Sequence, residues 1–588
     1  MNYRLNEQPV RAKVSVRVAL AGLWPLLAGE QSILVYAALA TLCNSLVNLG
    51  APLLIAHIVD TYITAGQFDG MLHYAGILFL LYVAGLFTSY SQTRLMGGVG
   101  QRVLFNLRAL IFAKLQELPV AFFNANKTGD LISRINNDTD KLNQFFSHTL
   151  VQFVGSIVIM CGAAVFLLAI SFKLGVAALL PAVLLLVFTR LVSPWVKHMN
   201  AEAMAATGGL SAEVTESLNN FRVIVAFNRR DFFRDRFNEA NRSNYSKAIV
   251  SGIANSLFTP VFGLSSNLAQ LAVLVYGIHL IITGAFTLGL LISYMAYVTN
   301  FYNPLRQLAA LWSNLQVALA GWDRISAILH MQSDMPLLPA GTAQASADPD
   351  TLLEFRDVSF QYTPDHVVLQ NLNFSLKRGK TYALVGPTGG GKTTTASLMA
   401  RLYDPSSGSV LLNGRDIRSV EPGERAQRIG FILQEPVLFS GTVRDNILYG
   451  NAAYANSSDA DLLAVLEAEG LTGLLQRFDG GLQAQVATSG DALSLGQKQL
   501  IAFMRAVLRH PDLLILDEAT ANIDTVTEQL LETILRKLPA HTTRVIIAHR
   551  LNTIESADEI LFVNGAGITR AGSMQEAVDM LLHQDQMS

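Results

Sequence analysis

The sequence predicts a chain in two parts, six membrane-spanning helices followed by an α/β domain with a largely parallel sheet. Three observations predict it. Of 588 residues, 51% are hydrophobic and only 15% are Asp, Glu, Lys or Arg, against about 25% charged in globular proteins. Long windows of the first half carry no charge at all. After about residue 350, short apolar runs alternate with helical stretches around a glycine-rich loop.

The composition excludes a disordered chain, which needs few apolar residues and many charges. A formal net charge of −2 gives no bulk attraction to nucleic acid, so no nucleic-acid partner is expected. The two cysteines, Cys43 and Cys161, lie in apolar stretches. They offer neither a disulfide framework nor metal-ligand spacing, and they read as small buried hydrophobes.

The charge-free windows are Gln31–Val59, Gly70–Thr93, Leu142–Phe172, Leu174–Thr189 and Ala248–Leu305. A spanning helix needs about 20 apolar residues. The last window is long enough for two spans around a turn near Thr283–Thr287, which makes six. Soluble helices would show a polar stripe, and these mostly do not. The turns Asp60–Asp69 and Thr283–Thr287 hold no Lys or Arg, and the loop after the third span holds only Lys173. The other connections are basic, with Arg102, Arg108, Lys114, Lys127, Arg134 and Lys141, then Arg222, Arg229, Arg230 and Arg234. Positive residues mark the cytoplasmic side, so both chain ends are cytoplasmic. At the start, Arg11, Lys13 and Arg17 precede Val18–Ala28. This reads as an amphipathic helix on the membrane surface rather than a cleaved signal.

The expected organisation is a cytoplasmic N-terminus with an elbow helix over residues 1–30, a six-helix membrane domain over 31–330, a linker over 331–350 and an α/β domain over 351–588. The linker is rich in Pro, Ala, Ser and Asp. Runs at Thr381–Val385, Ser409–Leu412, Leu513–Leu516 and Arg544–Ala548 read as strands between helices, the signature of a parallel sheet.

Gly386-Pro387-Thr388-Gly389-Gly390-Gly391-Lys392-Thr393 matches the phosphate-loop pattern G-x-x-x-x-G-K-[ST]. The strand Thr381–Val385 precedes it and a helix from Lys392 to about Leu402 follows. Glycines let backbone N–H groups converge on phosphates, and the helix N-terminus adds its positive end. Lys392 is placed to neutralise the β- and γ-phosphates of ATP, and Thr393 to bind Mg²⁺, with Thr394 beside them. Leu513-Leu514-Ile515-Leu516-Asp517-Glu518 is an apolar strand ending in two carboxylates. Buried strands do not end so without a reason. Asp517 suits a water-mediated Mg²⁺ contact, and Glu518 suits polarising a water for attack on the γ-phosphate.

Leu493-Ser494-Leu495-Gly496-Gln497 resembles the LSGGQ signature of ABC ATPases. Around it Gln434 resembles the family's Q-loop glutamine, a catalytic and Mg²⁺-binding position. His549 resembles the switch histidine and Ala521-Asn522-Ile523-Asp524 the D-loop. Tyr362 resembles the aromatic that stacks on adenine. Phe122-Phe123-Asn124 through Arg134 is similar to the first intracellular loop of ABC exporters. Glu216-Ser217-Leu218 through Phe227 is similar to the second, and Pro304-Leu305-Arg306-Gln307 through Gly321 to the sixth helix entering the cytoplasm. The chain thus resembles a bacterial half-transporter of the multidrug and lipid exporter type, with ATP and Mg²⁺ as cofactors and an inner-membrane location.

That resemblance implies a dimer, since one chain has one phosphate loop and one signature. Each ATP would lie between the loop of one subunit and Ser494, Gly496 and Gln497 of the other. ATP closes the two ATPase domains and hydrolysis reopens them, driving alternating access. Leu495 departs from the pattern, replacing the first glycine of the signature pair, and Val486–Gly490 lacks the usual acidic residue. An altered signature beside an intact Glu518 resembles one half of a heterodimeric exporter, so a heterodimer is expected in preference to a homodimer. Lipid and a small amphipathic substrate are the other expected partners. Amides and aromatics in the spans, among them Asn44, Asn48, Asn300, Tyr294 and Tyr297, read mostly as glue between helices. The alternative is an importer of a metal chelate on the same fold.

Overall fold

The computed structural model describes residues 3–5, 22, 24–339, 348–363, 366–487, 493–517, 525–547, 554–555, 557–564, 567–573, 575–577 and 579–580. The chain divides into two compact units. One comprises Arg4–Gln116 and Asn126–Met331; the other comprises Met1–Tyr3, Glu117–Ala125 and Gln332–Ser588.

The first unit is helical. Its long helices are the first, Gln31–Ile58; the second, Phe68–Glu117; the third, Leu150–Ile170; the fourth, Phe172–Asn219; the fifth, Phe258–Ile282, continuing Arg230–Ser256; and the sixth, Leu288–Leu329. Five stretches, Gln31–Ile63, Phe68–Glu117, Thr128–Ile170, Phe172–Asn219 and Arg230–Ile282, are long and apolar enough to cross a membrane. The sixth helix has 42 residues, and polar side chains dilute its hydropathy. The helices outrun their charge-free windows. At 1.5 Å per residue, the 50 residues of the second helix reach about 75 Å, against roughly 30 Å of hydrocarbon. The turn between fifth and sixth falls at 283–287, as the sequence indicates. The third and fourth are parted by Ser171 alone, so Lys173 sits inside a helix rather than in a loop. Of the elbow segment Val18–Ala28, the structure describes Gly22 and Trp24–Ala28, with a single 3-10 turn at Trp24–Leu27.

Tyrosines tie the bundle. Tyr294, Tyr297 and Tyr302 are buried, and their hydroxyls donate to the carbonyls of Leu167 (2.5 Å), Leu49 (2.5 Å) and Ala178 (2.9 Å). A phenol needs a partner when buried, and helix carbonyls supply one through their second lone pair. Asn300 donates to Asn48 O at 3.1 Å in the same way. Cys43 and Cys161 are exposed, not buried. The expectation of burial assumed water outside, whereas around a spanning helix hydrocarbon accepts a thiol as readily as the interior does.

At the ends poor in Lys and Arg, the first helix continues through Ile63 and Asp60 reaches the start of the sixth. Its carboxylate accepts from Thr287 Oγ1 (2.5 Å) and Gly289 N (2.7 Å). Thr287 caps the same helix by accepting from Leu290 N. A Cβ at Gly289 would lie 2.3 Å from the Ala56 carbonyl oxygen, so only glycine lets the two helices approach this closely.

The second unit is built on two large sheets and a short antiparallel ribbon of β7 (Gly441–Thr442) with β8 (Gln485–Val486). β1 (Thr351–Thr363), β2 (His366–Lys377), β4 (Ser407–Leu412) and β5 (Arg415–Asp416) form an antiparallel sheet in the order β2-β1-β4-β5. The second sheet uses β3 (Thr381–Val385), β6 (Ile429–Ile432), β9 (Leu513–Asp517), β10 (Thr543–Ile547), β11 (Glu559–Asn564) and β12 (Gly567–Ala571). Its order is β12-β11-β3-β10-β9-β6, parallel except for β12. Every residue of β3 and β9 is buried, which is why these strands read as unbroken apolar runs. The short helix Val120–Ala125 belongs to this unit. Its Phe122 is fully buried, with the Tyr3 ring edge-on at 6.3 Å.

Candidate functional site

The register of the parallel sheet gathers the expected residues. Ile547 on β10 pairs with Leu384 on β3 and with Asp517 on β9, and Ile432 on β6 pairs with Leu516. The phosphate loop leaves β3 one residue after Val385, Asp517 ends β9, and Gln434 lies two residues beyond β6. All three therefore sit at the carboxyl edge of one sheet, where open α/β folds bind ligands. Glu518, His549 and Ala521–Asp524 lie outside the described residues. They follow β9 and β10 directly in sequence.

The loop turns on glycine. Gly386 has φ +153° and Gly389 φ +79°. The loop ends at Gly391, which precedes the helix Lys392–Met399. A Cβ on Gly386 would stand 2.0 Å from the Val563 carbonyl oxygen of β11, so the backbone there has no room for a side chain. Gly390 N donates to Pro387 O at 3.0 Å. Lys392 is buried, and its Nζ donates to the carbonyls of Gly386 (2.8 Å) and Pro387 (2.9 Å). The ammonium is thus held inside its own loop. Thr388 and Thr393 are exposed, and Thr394 is buried. Asp517 is buried at the strand end. The Thr393 hydroxyl, the Asp517 carboxylate and the Gln434 amide are hard oxygen donors, which fits Mg²⁺. Among the described residues no cluster of three or more His, Cys, Asp or Glu could hold a metal, so phosphate oxygens would have to complete such a site.

Tyr362 lies at the end of β1. Its hydroxyl hydrogen-bonds Thr394 Oγ1 at 3.1 Å, and half of the residue is exposed. Its ring meets those of Phe360 and Tyr403 edge-on, at 4.8 and 5.2 Å. Tyr403 is a residue that sequence reasoning missed. Its hydroxyl accepts from Asn124 Nδ2 at 2.8 Å, and burial pushes its pKa up. Asn124, Tyr403, Tyr362 and Thr394 thus form one chain of contacts from the segment 117–125 to the phosphate-loop helix.

The signature opens the helix Leu495–Val507. Ser494 caps it in a reciprocal box, its Oγ accepting from Gln497 N (3.2 Å) while Gln497 Oε1 accepts from Ser494 N (3.0 Å). The hydroxyl keeps its proton free to donate outward. Leu495 occupies the first helical position and is not among the residues with positive φ. No glycine-only angle is needed there, and its side chain is 36% exposed. Arg505, on the same helix, was also missed. It donates to Val437 O (3.2 Å) and Asn446 O (2.8 Å), and so ties the segment after Gln434 to the signature helix.

This fold and site define a phosphate-loop ATPase carrying a signature helix, fused to six long membrane helices. The description "ABC transporter transmembrane region" matches residues 34–305, and "ABC transporter" matches residues 369–521. The chain is 34% identical, over 84% of its length and 78% of the relative, to a fatty acid ABC transporter ATP-binding/permease protein of Mycobacterium bovis. It is 29% identical, over 92% of its length and 90% of the relative, to a multidrug resistance ABC transporter ATP-binding and permease protein of Lactococcus lactis. A solved bacterial Atm1-family ABC exporter with ATP bound superimposes with a TM-score of 0.77 at 26% identity, covering 95% of this chain and 97% of that one. The chain belongs to the ABC transporter family, as an ATP-hydrolysing half-transporter of the exporter type. It is a membrane protein whose ATPase domain is cytoplasmic. Half-transporters of this type dimerise, and the importer alternative is not favoured.

Proposed function

We infer that this chain exports amphipathic small molecules, drugs or lipids from the cytoplasm or inner leaflet of a bacterial inner membrane, as one half of a dimer. The observation that carries the reading is the convergence of the phosphate loop, Asp517 and Gln434 on one sheet edge, with a single signature helix in the same chain. ATP lies on the loop, with Lys392 turning from the Gly386 and Pro387 carbonyls to its phosphates. Backbone N–H groups of residues 387–393 complete the cradle. Tyr362 stacks on adenine. Thr393, Gln434 and Asp517 would hold Mg²⁺, which supplies charge neutralisation on the phosphates. Glu518 orients and deprotonates the attacking water and His549 supports it. Ser494 and the amides of Gly496 and Gln497 reach the nucleotide of the partner.

A heterodimer fits Leu495 best. Its backbone is ordinary, but its isobutyl group stands at the helix end that faces the partner's phosphates. The second intracellular segment, the helix Phe221–Ala226 with Phe227 capping it, exposes Phe221, Val223 and Phe227, an apolar face that calls for cover by a partner chain. The cargo class draws on the fatty-acid and multidrug relatives.

ATP hydrolysis by the chain alone in lipid, with Glu518→Gln as control, tests the assignment. Turnover lost by about 10²–10⁴ in the variant supports Glu518 as base. An unchanged rate in every dimer tested removes it. Silence of the chain alone, relieved by a co-expressed second half-transporter, supports the heterodimer. Strong turnover alone makes it a homodimer.

A further inference from the structure

The linker does not hang free where it enters the ATPase unit. The sixth helix ends at Leu329, and soon after it the chain is held at three points. At the first, Tyr3 is buried, and its hydroxyl donates to the Asp334 carboxylate and accepts from Asp334 N at 2.8 Å. At the second, Arg401 Nη2 donates to Pro336 O at 2.8 Å. At the third, Leu338 N donates to Arg418 O at 2.9 Å. Fixing chain costs conformational entropy, and a tether that only joins two domains is left slack. The stretch 334–338 is therefore more than a tether.

The second and third anchors meet at one side chain. Arg401 is buried and has φ 53°, a left-handed turn that costs an arginine backbone strain. It stands two residues past the helix Lys392–Met399, with its backbone N donating to Leu398 O at 3.1 Å. All three guanidinium nitrogens have fixed acceptors. Nε donates to Asp404 Oδ1 at 2.9 Å, Nη2 to Pro336 O, and Nη1 to Arg418 O at 3.2 Å. Arg418 O is the same oxygen that receives Leu338 N. The helix that opens on Lys392, Thr393 and Thr394 thus ends in a turn that grips the linker. At 1.5 Å per residue that helix is a rod of about 12 Å, so a shift at the phosphate loop reaches Arg401.

We propose that Arg401 is a positioning residue for coupling. It clamps the linker, so that movement of the phosphate-loop helix on ATP binding displaces the cytoplasmic end of the sixth helix directly, by a route separate from the Asn124–Tyr403 contact. From Leu329 to the first anchor there is at most about 17 Å of extended chain, so little slack intervenes. The proposal needs ATP binding and holds for any cargo.

The test places an environment-sensitive fluorophore on His330→Cys, at an exposed position just past the sixth helix, in a chain carrying Cys43→Ala and Cys161→Ala. The full chain is studied in lipid nanodiscs, with a second half-transporter where turnover needs one. The readout is the change in emission on adding ATP. Two glycines inserted between Gln332 and Ser333 add about 7 Å of slack ahead of every anchor. They cut the change by about half or more, with Tm and the Kd of a fluorescent ATP analogue unaltered. The same glycines inserted after Gly341, behind the anchors, leave the change intact. Arg401→Lys keeps a charge for Asp404 but lacks the planar fork that also serves the linker carbonyl, and it cuts the change too. If Arg401→Lys does not fold, the two insertions decide, since they leave every anchor in place. A full response with the first insertion overturns the proposal, whatever Arg401→Lys does to Tm. Equal loss from the second insertion overturns it, as does an unaltered chain that binds the ATP analogue without any response of the label.

Discussion

Two glycines of the phosphate loop separate backbone strain from collision. At Gly389, φ is +79° and nothing lies within 4 Å of where a Cβ would stand. Alanine there bears only the left-handed backbone cost, about 1–2 kcal/mol. If that cost falls on the loop's nucleotide-binding shape, ATP binds about 5–30-fold more weakly. At Gly386, φ is +153° and the Cβ would meet the Val563 carbonyl at 2.0 Å. That oxygen is main chain on β11, which is hydrogen-bonded to β3, so no side-chain rotation relieves it. Gly386→Ala therefore displaces the sheet edge itself and abolishes measurable ATP binding, with a lowered Tm. Equilibrium binding of a fluorescent ATP analogue and thermal unfolding, on both purified variants, read the two effects. Gly386→Ala binding within about threefold of Gly389→Ala would falsify the collision.

Leu495→Gly should raise ATP turnover of the chain alone, and the gain would come from the lost side chain because Leu495 has no left-handed strain to relieve. No gain in a chain that is silent alone would mean that Leu495 is not what silences it. Tyr403→Phe breaks the bond from Asn124, worth about 1 kcal/mol. Cargo-stimulated ATPase should then fall several-fold with the KM for ATP little changed; a change in KM alone would assign Tyr403 to nucleotide packing.

The nucleotide-binding half was legible where chemistry and local structure coincide. The strand Thr381–Val385 was read to the residue, since a buried parallel strand is an unbroken apolar run between polar stops. The helix after it ends at Met399 rather than near Leu402, because Arg401 takes a left-handed turn at φ 53°. The long hairpin of β1 and β2 was not read, for its burial is irregular and its register slips repeatedly. Tyr403 and Arg505 act through contacts between segments far apart in sequence, which leave no local pattern. In the membrane half, absence of charge located the spans but not the helix ends. A helix continues past the bilayer without any change in its backbone bonding, so lengths near 50 residues could not be seen. The buried tyrosines were rightly read as glue. The cysteines were misread because hydrophobicity in a spanning helix does not say which face a residue takes.

The junction of Asp60 with Thr287 and Gly289 limits how the outer mouth can vary. The turns beside it, 64–67 and 283–287, are exposed for most of their length, so insertions there change little. Gly289 has no such latitude, because any side chain pushes the first helix off the sixth and strips the Asp60 carboxylate of a backbone donor. Natural or engineered diversity on this face should therefore gather in the turns and stop abruptly at one glycine and one aspartate. A chain bearing a larger residue at position 289 would rest with its outer ends ajar, leaking solute without spending ATP.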